Sequence, residues 1–241
     1  MIVKGGRTNY GEAIGILMLD TKFPRIPGDI GNALTFDFPV KYKKVKGATS
    51  QRVVKEADPL LIEPFIEAAR ELEEEGVSAI TTSCGFLAVF HEYLANAVSI
   101  PVFTSSLLQV PFVYRMLKKG QKVGIMTASK PHLTQRHFRG VGIEDIPMVI
   151  YGMEEQEEFP AVFLDMKQIL DVEKAEKEMV RVAEKMVSEN PDVGAIVFEC
   201  TNMPPFRRAV QKAVNLPVFD IVTLTNYVYS SIPKINKLIR V

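Results

Sequence analysis

Two residues in this chain of 241 are of a type suited to covalent or proton-transfer chemistry and are also placed with regularity: its only cysteines, Cys84 and Cys200. A thiolate is a base and a nucleophile, and either use depends on where the sulfur sits. Their placement follows an internal repeat. Val77–Phe103 laid over Val193–Phe219 without a gap gives ten identities in 27 positions. The matches include Ala79/Ala195, Ile80/Ile196, Phe90/Phe206, Pro101/Pro217 and Phe103/Phe219, and they put the two cysteines in equivalent positions. A duplicated thiol is the pattern needed to work on both faces of one carbon, one sulfur removing a proton and the other returning one.

The elements that must position the thiols can be read around them. In each copy a short apolar run (Val77–Thr81; Val193–Phe198) suits a buried parallel strand. An amphipathic stretch (Leu87–Ala97; Pro204–Val214) and a second strand opening at Pro101 or Pro217 complete a βαβ unit. Pro204 and Pro205 fit a first helical turn. Ile14–Leu19 and Val123–Met126 are strands opening each half, and Met148–Tyr151 is another. Asp58-Pro59 caps a helix running to Gly76, matched later by Val172–Glu189. Ser105–Lys119 and Lys130–Arg139 read as further helices, and the segment after Phe219 as a terminal helix packed on the first half. The expected fold class is α/β: two similar lobes, each a small parallel sheet flanked by helices, related by pseudo-twofold symmetry with the site in the cleft between them. The first lobe is expected to comprise 1–104 plus 216–241, the second 105–215.

Ligands of open parallel sheets bind beyond the carboxyl ends of the strands, where both cysteines fall. Unsatisfied N–H groups and the helix dipole there favour negative charge, so the thiol pKa values are expected to fall toward neutrality and a carboxylate ligand to be attracted. Thr82, Ser83 and Thr201 add hydroxyls beside the sulfurs, with Thr127 and Ser129 at the end of another strand. Other uses of the cysteines stay open: buried packing, a Cys84–Cys200 disulfide, or zinc, although no CxxC pair or His-rich cluster supplies further ligands. The loop Thr21–Asn32, with two Pro and two Gly in twelve residues, follows the first strand at its ligand-facing end and suits a specificity loop or lid. Its Arg25 either grips a substrate carboxylate or ties the loop to Asp29. His91, His132 and His137 read as surface or helix-face residues. Met116, Met126, Met166, Met179 and Met186 read as core, and the acidic run Glu154–Glu158 as a solvated loop.

Bulk properties narrow the function classes. Twenty-nine basic and 29 acidic side chains cancel, with 47% hydrophobic and 24% charged residues, so nucleic acid is not an expected partner. The one dense basic run, Lys41–Lys46, suits a solvated strand edge. No apolar stretch approaches the roughly 18 residues of a membrane span. No secretory signal is recognisable, and cysteine usage suits a reducing, cytoplasmic compartment.

At TTSCG (Thr81–Gly85), VGIMTAS (Val123–Ser129) and ECTNM (Glu199–Met203) the chain resembles the aspartate/glutamate racemase superfamily. That group includes hydantoin racemases, maleate isomerase and arylmalonate decarboxylase. The resemblance implies an isomerase of amino-acid metabolism that works without pyridoxal phosphate or another cofactor, with Cys84 and Cys200 as the two bases. It implies that Thr82, Ser83, Gly85, Thr127, Ser129, Thr201 and Asn202 hold a small carboxylate, aspartate- or glutamate-like, and it allows a homodimer. Two departures stand out. The racemases usually have Cys-Asn-Thr where this chain has Cys84-Gly85-Phe86, and commonly Gly where it has Glu199. Phe86 makes the site more apolar or packs behind it; Glu199 raises the Cys200 pKa, orients a neighbour, or points away. A lyase or cis–trans isomerase of the same superfamily, with one cysteine adding to an alkene or protonating an enediolate, is the alternative. A non-catalytic carboxylate-binding module is a third class.

Overall fold

The computed structural model describes residues 5, 6, 8 and 10–233; the outer ends of the expected first lobe, 1–4 and 234–241, lie outside the described residues. Apolar β1 (Ile14–Met18) is flanked by β2 (Val40–Lys44) and β3 (Ala79–Thr82), and β4 (Val102–Phe103) pairs with β3 to give the parallel order β2-β1-β3-β4. The second sheet repeats that order with β5 (Lys122–Thr127), β6 (Met148–Gly152), β7 (Val193–Phe198) and β8 (Val218–Phe219), as β6-β5-β7-β8. Ile80 pairs with Val102 and Ile196 with Val218, so the repeat read from sequence is preserved down to strand register. The fold is thus two similar parallel-sheet α/β lobes.

Helices cover the sheets where capping and periodicity require them. Asp58 accepts from the Leu60 N–H at a 3-10 turn opened by Pro59, and α1 (Ile62–Glu75) continues to Gly76 at φ 95°, the left-handed cap that glycine adopts without penalty. Phe65, Ala68, Ala69 and Leu72 form its buried face. Across the repeat, α2 (His91–Ala97), α3 (Val110–Met116) and α4 (Gln135–Gly140) follow the first sheet's crossovers and β5. The acidic run is turn and bend over 154–157 as expected, and only its last residue enters α5 (Glu158–Phe163), ahead of α6 (Val172–Glu189), whose Ala175, Met179, Val182 and Met186 are buried. The second copy ends with α7 (Arg207–Val214), and α8 (Ile221–Ser231) returns to the first lobe, where Tyr229 stacks on Phe38 at 3.6 Å between ring centroids.

Three expectations need correction. The lobe boundary at 216 would leave Val218–Phe219 in the first lobe, yet both residues pair with β7; the chain changes lobe only at α8. Met116 is 52% exposed rather than core, because α3 turns only its other side inward. Glu158 is not solvated: it is buried against Lys167 at 2.8 Å and the Asp171 N–H at 2.9 Å. The basic run behaves as expected, with β2 at the sheet edge and Lys41 paired to Glu75 of α1 at 2.8 Å.

Candidate active site

Cys84 lies two residues past β3 and opens a 3-10 turn over Gly85–Phe90; Cys200 lies two residues past β7, ahead of the shorter turn Pro204–Phe206. Both line one narrow pocket between the lobes, with a free volume of only about 20 Å³. Leu19, Phe23, Val54, Phe86, Phe163 and Leu164 form its apolar wall. The Leu87 N–H donates to the Cys84 carbonyl at 3.1 Å, closing the turn on that cysteine, and the Cys200 thiol donates to Asn202 Oδ1 at 3.6 Å. Both thiols are free.

The expected fall in thiol pKa does not occur. Burial, and then the neighbouring Glu199 carboxyl, push both Cys84 and Cys200 above the ordinary thiol value. The physical reason is local: short 3-10 turns offer little dipole, Pro204 and Pro205 have no N–H to give, and desolvation opposes a charged sulfur.

Glu199 is the group that sequence reasoning noticed without placing. It is completely buried and lines the pocket, Oε2 accepts from Thr127 Oγ1 at 2.7 Å, and Oε1 has no partner. Burial raises its pKa to about 8. Gly85 makes this position available, since a Cβ on residue 85 would collide with the Glu199 carbonyl and carboxylate. The two departures from the racemase motifs are therefore one spatial exchange: a side chain is lost at 85 where one is gained at 199.

The other expected site residues divide. Ser83, Gly85, Thr201 and Asn202 line the pocket with the cysteines; Thr82, Thr127, Ser129 and Arg25 do not. Thr82 Oγ1 is committed to the Thr104 carbonyl at 2.7 Å, and Ser129 Oγ to His132 Nδ1 at 2.7 Å. Arg25 takes its second expected role, bonded to Asp29 at 2.7 Å and to Thr21 at 3.1 Å. Asp29 in turn accepts from Asn202 Nδ2 at 2.6 Å, and Thr201 Oγ1 donates to the Ser83 carbonyl at 2.6 Å, so the loop and both strand ends are tied across the cleft. Phe23, Ser50, Val54 and Phe163 line the pocket without having been expected there; no short motif marks them, because they come from loops and turns brought together only by the fold. His137 is buried rather than exposed: its Nδ1 accepts from the Thr134 N–H at 3.1 Å, and its ring meets Phe86 edge-on at 5.2 Å. Among the described residues no group of three His, Cys, Asp or Glu could hold a metal ion, and no helix is long and apolar enough to cross a membrane.

Two parallel-sheet lobes with one thiol at the same strand end of each define the architecture of a two-lobed racemase-type enzyme. The sequence model of the Asp/Glu/Hydantoin racemase family matches residues 46–225, and the chain belongs to that family. Its similar relatives include a dimethylsulfoniopropionate lyase of Durusdinium sp. clade D, 32% identical over 222 residues that cover 89% of this chain and 73% of the relative. Dimethylsulfoniopropionate lyase 3 of Emiliania huxleyi (strain CCMP1516) is 33% identical over 91% of this chain, which spans 60% of that relative's length. Among solved structures, unliganded arylmalonate decarboxylase aligns with a TM-score of 0.56 at 14% identity, covering 94% of both chains. Picrophilus torridus aspartate racemase aligns with a TM-score of 0.56 at 14% identity, covering 91% of this chain and 95% of that one. At such identities the structural likeness speaks for the fold alone.

Proposed function

We propose that this chain is a carbon-acid lyase that eliminates a β-substituent from a propionate of the dimethylsulfoniopropionate type. The observation that carries the proposal is the pair of thiols lining one mainly apolar pocket. The family membership and the lyase names of its relatives support the reaction class.

A thiolate, Cys84 or Cys200, takes the proton from the carbon next to the carboxylate. The C–H electron pair becomes the new carbon–carbon double bond, and the Cβ–S bond breaks with its pair going to sulfur. The products are acrylate and neutral dimethyl sulfide, and the thiol returns its proton to solvent. A neutral leaving group needs no acid, so one cysteine suffices as base.

A second reading is racemisation of an α-substituted carboxylate, with Cys84 and Cys200 as opposed bases; the matched strand-end thiols favour it. Incubation in deuterium oxide with dimethylsulfoniopropionate, and separately with D- and L-aspartate and glutamate, followed by proton NMR, distinguishes the two. The lyase reading predicts acrylate from the first and unchanged amino acids. Loss of the amino-acid α-proton signal without any acrylate would overturn it in favour of racemisation.

A further inference from the structure

Glu199 is fully buried, carries an unpartnered oxygen, and has no part in the proton transfer set out above. Among the described residues it is the only side chain of the charged types lining the pocket; no Lys, Arg or His joins it. A substrate with two carboxylates would find no cationic side chain there and would meet a third carboxyl instead. Phe23, Phe86 and Phe163 line the same space, and aromatic faces attract onium groups strongly where water is excluded. Thr127 fixes one carboxylate oxygen, and Gly85 leaves the room into which the other projects.

We infer that Glu199 and the surrounding phenylalanines form a subsite for the positively charged group of a zwitterionic carboxylate, a sulfonium or quaternary ammonium. The inference rests on the lyase reading for the reaction and adds the part of the substrate that reading leaves unrecognised. It also predicts a proton linkage. The ionisable groups facing Glu199 are Cys84 on the first lobe's turn and Cys200 beside it; Asp29 of the loop, whose own counter-charge is Arg25, acts on Cys200. None of them is a free cation, so the carboxyl holds its proton up to about pH 8. A cation placed against it favours the ionised form. Binding at neutral pH therefore expels a proton, and affinity for the cation rises with pH by about tenfold per unit below that point.

The probes are 3-(trimethylammonio)propionate and 4,4-dimethylpentanoate, its isostere with carbon in place of the charged nitrogen, titrated calorimetrically into the whole protein in two buffers of different ionisation enthalpy. The wild type is expected to bind the cation at least about tenfold tighter than the isostere, with release of about one proton at pH 7. Glu199→Gln is expected to lose both the discrimination and the release. Equal binding of the two probes, binding of neither, or proton release retained in Glu199→Gln would overturn the subsite. The proton count in the wild type stands without the variant should Glu199→Gln not fold. Acrylate production separates the two ideas. A protein that shows the linkage and makes no acrylate keeps the subsite and loses the lyase reading. One that makes acrylate with an unchanged KM in Glu199→Gln does the reverse.

Discussion

Buried between two lobes, the thiols of Cys84 and Cys200 are pushed above the ordinary thiol value, because desolvation and the Glu199 carboxyl both resist a charged sulfur. The Glu199 contribution has a definite sign and window. Above about pH 8 the carboxyl is ionised and repels a thiolate; below it the carboxyl is neutral and that repulsion fades. Glu199→Gln keeps the shape and removes the charge, so its thiols are expected to react with iodoacetamide about tenfold faster than the wild type's at pH 9, with a smaller gain at pH 6.5. Equal rates at pH 9 would show that the carboxyl does not act on the sulfurs. Residue identity was legible here in part. The repeat alone singled out the cysteines, Ser83 and Thr201 followed from adjacency to them, and Gly85 and Asn202 came from the family resemblance. The direction of Glu199 was not legible, since it depends on the absence of a side chain at Gly85 in the other lobe. Thr82, beside Cys84 in sequence, and Ser129, at the end of another strand, do not line the pocket: their hydroxyls go to the Thr104 carbonyl and to His132 Nδ1.

At the level of elements, α5 and the residue that follows it supply Phe163 and Leu164 to the pocket wall. Its N-terminal N–H groups are received by a carboxylate from α6: Glu178 accepts from Glu157, Glu158 and Phe159 at 2.8–3.1 Å. Glu178 is buried, so its removal strands three main-chain donors. Glu178→Ala is therefore expected to cost about 2–4 kcal/mol of stability in urea unfolding. It should also raise KM, because Phe163 and Leu164 lose their support. A stability change within about 0.5 kcal/mol would contradict this capping role. The strands and the two long helices were readable because they carry buried periodicity and caps, as with Asp58-Pro59 and Asp171. Helix α5 was not, because Glu154–Glu158 reads as solvated by composition, and only Lys167, Asp171 and Glu178 show where its carboxylates and amides go. Strand β8 was misassigned for a related reason: two residues carry no period, and their sheet is decided by register with β7.

Across the whole molecule the two lobes meet through the same strand ends that bear the thiols. Thr201 reaches the Ser83 carbonyl, Asn202 reaches Asp29, and α4 of the second lobe rests on the turn that begins at Cys84. A pocket this tightly bridged must open for a substrate to enter, so the bridging bonds set both stability and access. Thr201→Val leaves the buried Ser83 carbonyl without its partner and is expected to lower stability by about 1–3 kcal/mol. The accompanying fall in Tm, about 2–4 °C per kcal/mol, is readable by thermal scanning. An unchanged Tm would mean the bond does not hold the lobes together. The two-lobed plan itself was legible at this scale, because the duplicated sequence reports the duplicated fold directly. The depth of the cleft was not, since it depends on loop residues such as Phe23 and on α5. Removal of the α-proton by a buried thiol is tested by acrylate formation from dimethylsulfoniopropionate by the wild type, Cys84→Ser and Cys200→Ser. Turnover is expected from the wild type, with a loss of about 10³-fold or more in the variant lacking the base and a smaller loss in the other. Wild-type turnover retained in both variants would contradict it.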